Sequence, residues 1–265
     1  MKMKKTKLVA TVLIANFNNA NYIDECIKSI IKQTFKKIEI IFIDDGSKDS
    51  SLKVIKKYSK KIKIIKKKNK TGIGSFDQMA TYYQGFKESK GDVIFLLDSD
   101  DYFKKDKVSI FMDTFLNNKK INILYDLPIK KYKNKNVNVF KSIKYSNNYW
   151  PYFTPTSCIA IRTKYFKIIY KLIGFKFFSD IWFDFRIGIV SKHLFYQYNF
   201  IEKNLTYYRQ TQTNISSKFK HLSLPWWTRR MQAHDFVKYF FNKNKITYVK
   251  NLDYYLTRVV NFFIK

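Results

Sequence analysis

The residues best suited to chemistry are three closely spaced carboxylates, Asp98, Asp100 and Asp101, which directly follow the apolar run at residues 93–97. Hard divalent cations such as Mg²⁺ and Mn²⁺ bind oxygen ligands, commonly one or two carboxylates together with phosphate oxygens of a substrate. Acidic residues also stabilise the first turn of a following helix, because the helix dipole favours negative charge there. The segment alone is therefore compatible with a metal site and with a helix cap.

Two further polar turns follow apolar runs in the same way. Residues 44–47, Asp-Asp-Gly-Ser, end the run at 38–43, and residues 15–18 end the run at 8–14. Ligands of open α/β sheets bind where the carboxyl ends of the strands meet. Because two acidic strand ends favour one shared ligand, the metal site becomes the better interpretation of the first acidic segment.

The elements that position these turns follow from hydrophobic spacing. Short β-branched runs predict strands at residues 8–14, 38–43, 62–65, 93–97 and 121–125. Apolar residues at helical spacing predict amphipathic helices after Asn21 and after Asp101. Strands that alternate with helices predict an α/β fold with a parallel sheet. Beyond Asn134 the pattern is irregular and aromatic up to a short predicted strand at 157–161, and two amphipathic helical segments follow His221.

The composition is that of a globular protein, since 46% of the 265 residues are apolar and 18% are aromatic. Such a chain can bury a core, which excludes disorder as its main property. Cys26 and Cys158 form no CxxC pair or Cys/His cluster, which argues against a disulfide framework and a zinc site and predicts a reducing compartment. No run approaches the roughly 20 apolar residues that span a bilayer. The apolar start at residues 8–15 is interpreted as a buried first strand rather than as a signal peptide.

The charge balance is strongly basic, with 51 Lys and Arg against 20 Asp and Glu and a formal net charge of +31. Such a charge favours a polyanionic neighbour, which could be nucleic acid, anionic lipid or a phosphorylated ligand. Residues 53–70 are rich in lysine and hold no acidic residue. A nucleic-acid-binding protein is therefore one alternative, but a disfavoured one, because the run has little aromatic interleaving, no recognition motif accompanies it, and a solvated helix and edge strand explain it adequately. Nucleic acid is accordingly not among the expected partners.

Taken in order, the motifs resemble those of the family 2 glycosyltransferases of the GT-A fold. The resemblance rests on the turn at 15–18, the helix that closes with residues 33–35, the strand and turn at 41–47, and the acidic motif at 97–101. It covers residues 8 to 120 well and residues 155 to 217 more loosely. It implies a Rossmann-like, mostly parallel central sheet flanked by helices. The implied domains are 1–220, divided into a nucleotide-sugar half at 1–125 and an acceptor half at 126–220, and a helical C-terminal extension at 221–265.

The resemblance also implies the activity. A sugar would pass with inversion from a nucleotide-diphospho-sugar, expected to be a UDP-sugar, to a glycan or glycolipid acceptor in surface polysaccharide or lipooligosaccharide biosynthesis. Mn²⁺ or Mg²⁺ would be held by Asp98 and Asp100, and Asp45 would hydrogen-bond the base. The implied nucleotide-sugar-binding residues are Ala15, Asn16, Phe17, Asp45, Gly72, Asp98 and Ser99. Gly72 lies in a turn at 69–74 that suits either phosphate binding or a plain turn.

The expected catalytic residue is Asp180, as the base that accepts the proton of the acceptor hydroxyl. Family members carry an acidic pair with an Arg six residues after the second acid, and Asp180 with Arg186 reproduces that spacing, with Ser179 in the first place. Asp184, one helical turn on, is the second candidate base. Ser179 or Asp180 could instead cap a helix.

Three positions depart from the family pattern. Ser179 replaces the first acid, residues 76–78 replace an Ala-Arg-Asn-like stretch, and Thr211 stands where a His is usual. Water, Arg209 or another group would have to take over from that His, since the three histidines of the chain show no ligand spacing. These departures keep an inactive glycosyltransferase-like scaffold as a further alternative.

The C-terminal residues 222–265 mix aromatic and basic side chains, as interfacial helices do. The predicted partner is an anionic membrane surface that carries a lipid-linked acceptor, which would place the protein in the cytoplasm, peripheral to the membrane. Core packing or a homodimer are the alternatives for the stripe at residues 249–263, and core packing is the favoured one for that helix. The aromatic residues considered are Trp226, Trp227, Phe236, Phe240 and Phe241, beside Arg229, Arg230 and Lys238.

Overall fold

The computed structural model describes residues 8–67, 71–139, 150–174, 179–195, 199–211 and 219–263. Its strands are β1 (Ala10–Asn16), β2 (Ile38–Asp44), β3 (Lys63–Lys66), β4 (Val93–Asp98), β5 (Tyr102–Phe103), β6 (Ile123–Lys131), β7 (Asn136–Asn138), β8 (Ile159–Arg162) and β9 (Phe200–Arg209). Its helices are α1 (Ala20–Ile31), α2 (Ser51–Lys56), α3 (Gly74–Lys87), α4 (Lys107–Asn117), α5 (Thr163–Ile173), α6 (Phe183–His193), α7 (Leu224–Lys243) and α8 (Leu252–Phe263). A short 3-10 turn, Thr156–Cys158, precedes β8.

The first half of the sheet is parallel, in the order β3, β2, β1, β4. Strands buried on both faces need near-continuous apolar sequence, which is what these runs supply. The register places Asn16 beside Asp44 and Ala15 beside Asp98. The polar turns that follow β1, β2 and β4 therefore leave the sheet side by side, as their positions in the sequence predict.

The second half of the sheet is mixed. β8 joins β4 antiparallel, β6 joins β8 antiparallel, and β9 runs parallel to β6. The 3-10 turn leads directly into β8. Antiparallel neighbours such as β6 and β8 need no crossover helix between them. The predicted α/β fold is confirmed, with a fully parallel half at β3, β2, β1 and β4 and a mixed second half in which only β6 and β9 pair parallel among the described strands.

Helices cover both faces of the sheet. Alternate residues of β1 point to opposite faces, so that Leu13 packs in one apolar cluster while Val12 and Ile14 pack in the other. α1 and α4 contribute to the cluster of Val12, and α3, α5, α6 and α7 contribute to the cluster of Leu13. β1 lies between β2 and β4, which agrees with the interpretation of residues 8–15 as a buried strand.

The C-terminal helices differ from the prediction in which side chains they expose. Phe236, Phe240 and Phe241 of α7 are buried in the core instead of facing a membrane. On α8 the favoured core-packing interpretation is wrong, because the stripe is exposed at Val249, Leu252, Leu256, Val259 and Phe263. The spacing of the stripe identifies a helix face without saying which way the face points. In the ranges that the structure describes, no helix is both long and apolar enough to cross a membrane.

Candidate active site

A cavity of about 490 Å³ opens at the carboxyl ends of β1, β2 and β4. This volume lies within the range of small-molecule sites. Of the residues proposed from the sequence, eight line it: Ala15, Asn16, Phe17, Asp45, Gly72, Asp98, Asp100 and Asp184. Further lining residues that were not proposed from the sequence as site residues are Asn18, Asn19, Gly74, Ser75, Asp77, Gln78, Thr81, Pro155, Thr156, Trp182 and Tyr208. The three polar turns thus converge on one cavity.

Ser99 lies behind the cavity wall. Its side chain is fully buried, its hydroxyl donates to Asn16 Oδ1 at 2.8 Å, and it accepts from Asn19 Nδ2 at 3.0 Å. Asn16 in turn donates to Asp44 Oδ1 at 2.8 Å. Ser99 is therefore placed to orient the asparagines at the end of β1, and it is not one of the residues around the cavity.

Asp98 and Asp100 face the cavity from the end of β4. Asp98 Oδ1 accepts from Gln78 Nε2 at 2.7 Å and from Tyr82 Oη at 2.8 Å. Burial raises the pKa of Asp100 to about 7, and the negative charge of Asp98 adds to that shift. Two neighbouring carboxylates in a buried site repel each other unless a cation or a proton compensates them.

The third carboxylate of the motif, Asp101, points away from the cavity. Its Oδ2 accepts from the Ser157 hydroxyl at 2.6 Å, and its Oδ1 accepts from the backbone N–H of Arg209 at 2.8 Å. Asp101 therefore ties the acidic turn to β9 and to the 3-10 turn, and the metal candidates are reduced to Asp98 and Asp100.

The donor set fits a hard divalent cation that a substrate helps to bind. Among the residues with described positions, no three His, Cys, Asp or Glu side chains form a complete metal cage. Mg²⁺ is usually held by one or two carboxylates, waters and substrate phosphates rather than by a full protein cage. Asp98 and Asp100 supply that number of carboxylates at the cavity wall.

Lys67 pairs with two acids of the cavity lining, Asp45 and Asp77. Lys67 Nζ lies 2.7 Å from Asp45 Oδ1 and 3.7 Å from Asp77 Oδ1. Asp77 also accepts from the backbone N–H of Thr71 at 2.9 Å and of Gly72 at 3.0 Å. Gly72 has φ +83°, a conformation that favours glycine. Asp77 therefore shapes the turn before α3, and residues 69 and 70 lie outside the described ranges.

Asp180 is held at the edge of the cavity by contacts on three sides. Its backbone N–H donates to Gln232 Oε1 at 3.1 Å, and its carbonyl accepts from Arg229 Nε. Its Oδ1 accepts from the backbone N–H of Ser75 at 3.0 Å, and its side chain is 32% exposed. Asp180 is absent from the cavity lining itself, while Ser75 belongs to it. The alternative that Asp180 caps the helix that follows it is wrong, because α6 begins at Phe183.

Arg229 of α7 is a site residue that sequence reasoning missed. Its guanidinium lies between the rings of Trp182, at 3.6 Å, and Phe219, at 3.9 Å, and it also donates to the Ser75 hydroxyl. Its side chain is 1% exposed. Arg229 and Gln232 are three residues apart and thus share one face of α7. The C-terminal region predicted as an extension therefore helps to build the site.

Asp184, the second candidate base, lines the cavity directly. Burial raises its pKa to about 7, the charge of Asp98 adds to the shift, and the N–H of Phe185 and the charge of Arg229 oppose it. The structure thus separates two acids, one partly exposed at the edge and one buried in the wall.

We predict that Asp184→Asn changes the pH dependence of stability. The folded chain holds the Asp184 proton more tightly than the unfolded chain, so the associated stability is present below the ordinary pKa of 3.8 and is lost as pH rises through about 7. Asparagine does not ionise, so the variant does not lose this part of the free energy of unfolding as pH rises. Thermal unfolding at several pH values should therefore favour the variant increasingly between about pH 4 and about pH 7, by about 4 kcal/mol at most, with no further change above pH 7. A difference that stays constant with pH would contradict the assignment.

The departure at Ser179 has a structural answer, and Arg209 of the later segment makes contacts of its own. Arg186 donates to the Ser179 hydroxyl at 3.0 Å, and burial lowers the pKa of Arg186 to about 10. Arg209 donates to the carbonyl of Asp100 and to the Glu25 carboxylate, and these contacts hold the acidic turn against α1. Thr211 is described, but residues 212–216 of the same segment lie outside the described ranges. Tyr208 is the member of this segment that lines the cavity.

With this geometry in place, the comparisons with known proteins decide the family. The sequence profile of Glycosyl transferase family 2 matches residues 11–187. The chain belongs to this family. Its sequence is 32% identical to chondroitin synthase of Pasteurella multocida over 167 residues, which are 60% of this chain and 16% of that protein. The chain spans less than two thirds of the length of the curated relatives that it matches first.

Solved structures of low sequence identity share the fold. S. aureus TarS in complex with UDP-GlcNAc has a TM-score of 0.63 and 18% identity, over 86% of this chain and 66% of that chain. Mannosyltransferase PcManGT from Pyrobaculum calidifontis, in complex with GDP-Man and Mn²⁺, has a TM-score of 0.58 and 13% identity, over 97% of this chain and 70% of that chain. The expected GT-A fold and the family 2 membership are therefore confirmed.

Proposed function

We propose that this family 2 chain transfers a sugar, with inversion, from a UDP-sugar to a glycan or glycolipid acceptor in surface polysaccharide or lipooligosaccharide synthesis. The observation that carries the proposal is the convergence of Asp45, Asp98 and Asp100 on one cavity from the ends of adjacent strands. The chondroitin synthase relative supports a glycan acceptor. TarS and PcManGT, whose fold the chain shares, were solved with nucleotide sugars.

In the proposed reaction Asp180 is the general base. Its carboxylate takes the proton of the acceptor hydroxyl, the hydroxyl oxygen bonds to the anomeric carbon, and the bond from that carbon to the diphosphate breaks with its electron pair leaving on the nucleoside diphosphate. One carboxylate suffices for this single displacement. The clamp by Gln232, Arg229 and Ser75 supports the role, because a base held in place needs no reorganisation during the reaction.

The diphosphate end of the donor is assigned to the wall formed by Asp98 and Asp100. A divalent cation held by these two carboxylates supplies a Lewis acid that stabilises the charge of the departing diphosphate. Tyr82 and Gln78 support this role, since their donors fix the orientation of the Asp98 carboxylate. The structure of PcManGT with Mn²⁺ supports the choice of metal.

The base end of the donor is assigned to Asp45 and Lys67. The carboxylate accepts hydrogen bonds and the adjacent ammonium donates them, so the pair matches the N–H and carbonyl groups that uracil presents side by side. Phe17, which is 42% exposed at the cavity, offers an apolar surface near the same turn.

Both cysteines are buried free thiols, which supports the proposed location in a reducing cytoplasm.

A panel of nucleoside diphosphates tests the proposal by thermal unfolding in the presence of Mn²⁺. UDP should stabilise the chain most, because the pair of Asp45 and Lys67 suits uracil. A ligand at about 100 times its dissociation constant adds about 2.7 kcal/mol to the free energy of unfolding. Lys67→Met should weaken UDP binding roughly ten-fold, since it removes a charge-assisted hydrogen bond. Lys66→Met, an exposed neighbour, is the matched control. Failure of every nucleotide in the panel to stabilise the wild-type chain would contradict the proposed function.

A further inference from the structure

Helix α8 packs on the protein through its polar side. Its two buried residues are Thr257 and Asn261, and Asn261 Nδ2 donates to the carbonyl of Trp227 at 3.0 Å. Asp253 accepts from Arg230 Nη2 at 2.6 Å and from Trp150 Nε1 at 3.0 Å. These contacts fix the rotation of α8 about its own axis, with hydrogen bonds and an ion pair directed towards α7.

The apolar side of α8 consequently faces outward. Leu252 is 83% exposed, Phe262 is 78% exposed and Phe263 is 80% exposed. Tyr255, Leu256 and Val259 are about half exposed. The part of the stripe that lies on α8 therefore consists of Leu252, Tyr255, Leu256, Val259, Phe262 and Phe263. A surface helix normally buries its apolar stripe, and contiguous exposed apolar patches mark interaction sites. This stripe contains no charged residue.

We infer that the outer face of α8 docks on an anionic lipid surface. The charge of the chain identifies the occupant, because two copies that each carry +31 repel each other, whereas an anionic bilayer attracts them. Lys245 and Lys250 lie exposed on the segment that enters α8, and Lys243 lies exposed at the end of α7. An apolar stripe next to basic residues is the pattern of helices that lie in the membrane interface. The docking does not depend on the proposed transfer reaction.

The test is co-sedimentation of the full chain with two kinds of vesicle, phosphatidylcholine alone and phosphatidylcholine mixed with phosphatidylglycerol. The wild-type chain should sediment with the anionic vesicles, and salt should weaken the binding. The double variant Leu256→Glu with Val259→Glu should lose roughly ten-fold or more in partitioning, because charged groups are excluded from the apolar interface. The matched control is Ile31→Glu with Ile168→Glu, which changes the charge equally at exposed apolar positions of α1 and α5.

Three results would overturn the inference. Recovery of the wild-type chain in the supernatant with both vesicles would exclude a lipid surface as the occupant. Equal losses in the α8 variant and in its matched control would assign the binding to net charge alone. Light scattering is run on the same samples. A wild-type dimer that the α8 variant alone dissociates would assign the face to a second copy of the chain, which also overturns the inference. Donor binding by the α8 variant, measured separately, keeps this outcome distinct from failure of the proposed function.

Discussion

Asp100→Asn is expected to reduce sugar transfer to background. The substitution removes one of the two carboxylates proposed to hold the divalent cation. Without the cation, nothing offsets the repulsion between the negative charges of the departing diphosphate and of Asp98. Asp100 lies on a strand-end turn, and asparagine keeps its size. The fold should therefore survive, and thermal unfolding checks this. The measurement is the rate of nucleoside diphosphate release with a UDP-sugar and Mn²⁺.

Asp113→Asn is the matched control, because it makes the same chemical change at an exposed position on α4. It should retain the wild-type rate. Full activity of the wild-type chain in EDTA would contradict the metal assignment. An undiminished rate of Asp100→Asn with Mn²⁺ would contradict it as well. Loss of activity in the control as well would indicate a nonspecific effect of charge.

Asp180→Asn is expected to lower the transfer rate by roughly 10²-fold to 10⁴-fold, the usual contribution of a general base. Donor affinity should change little, since the proposed contact is with the acceptor hydroxyl. Asp184→Asn is the comparison, because Asp184 lies in the cavity wall and carries a pKa of about 7. Steady-state rates, together with donor titration by calorimetry, separate the two effects.

The reverse result has a definite meaning. If Asp184→Asn loses the activity and Asp180→Asn retains it, the base is the buried acid of the wall. Product analysis adds an independent check, because a single displacement gives the inverted anomer. A retained anomer would require a nucleophile and a double displacement, as in retaining glycosidases.

The part of the site built by strand ends could be predicted from the sequence. The apolar runs identify buried strands, and the parallel order of β2, β1 and β4 brings their polar turns to one edge. Asp45, Asp98 and Asp100 follow from that rule and from the motif spacing. The predicted boundaries of β2 agree to within one residue, with β2 ending at Asp44 where the acidic turn was expected to begin, whereas β6 extends six residues beyond its predicted end.

The contacts that cross the fold could not be predicted. Arg229 and Gln232 reach Asp180 from a helix about fifty residues away in the chain, and no local spacing encodes that contact. Lys107 is a clearer case, since composition assigns lysine to the surface. In the structure Lys107 is fully buried and pairs with Asp126 at 3.0 Å. Tertiary partners decide such positions.

The orientation of α8 is ambiguous in the sequence for a physical reason. A period of three to four residues identifies an apolar face, but the same period arises when that face meets a core, a partner or a membrane. The polar contacts of Asp253 and Asn261 decide the orientation, and each depends on a residue of α7. The apolar stripe alone predicts a helix, and the ion pair fixes its rotation.

Release of nucleoside diphosphate from a UDP-sugar by the wild-type chain, Asp100→Asn and Asp180→Asn is the most direct measurement of the central claim. The account predicts release by the wild-type chain that requires Mn²⁺ or Mg²⁺ and an acceptor. It also predicts background rates for Asp100→Asn and a strongly reduced rate for Asp180→Asn, with both variants folded. Release at equal rates by all three proteins, or release that is indifferent to divalent metal, would contradict the assignment of this cavity as the catalytic site.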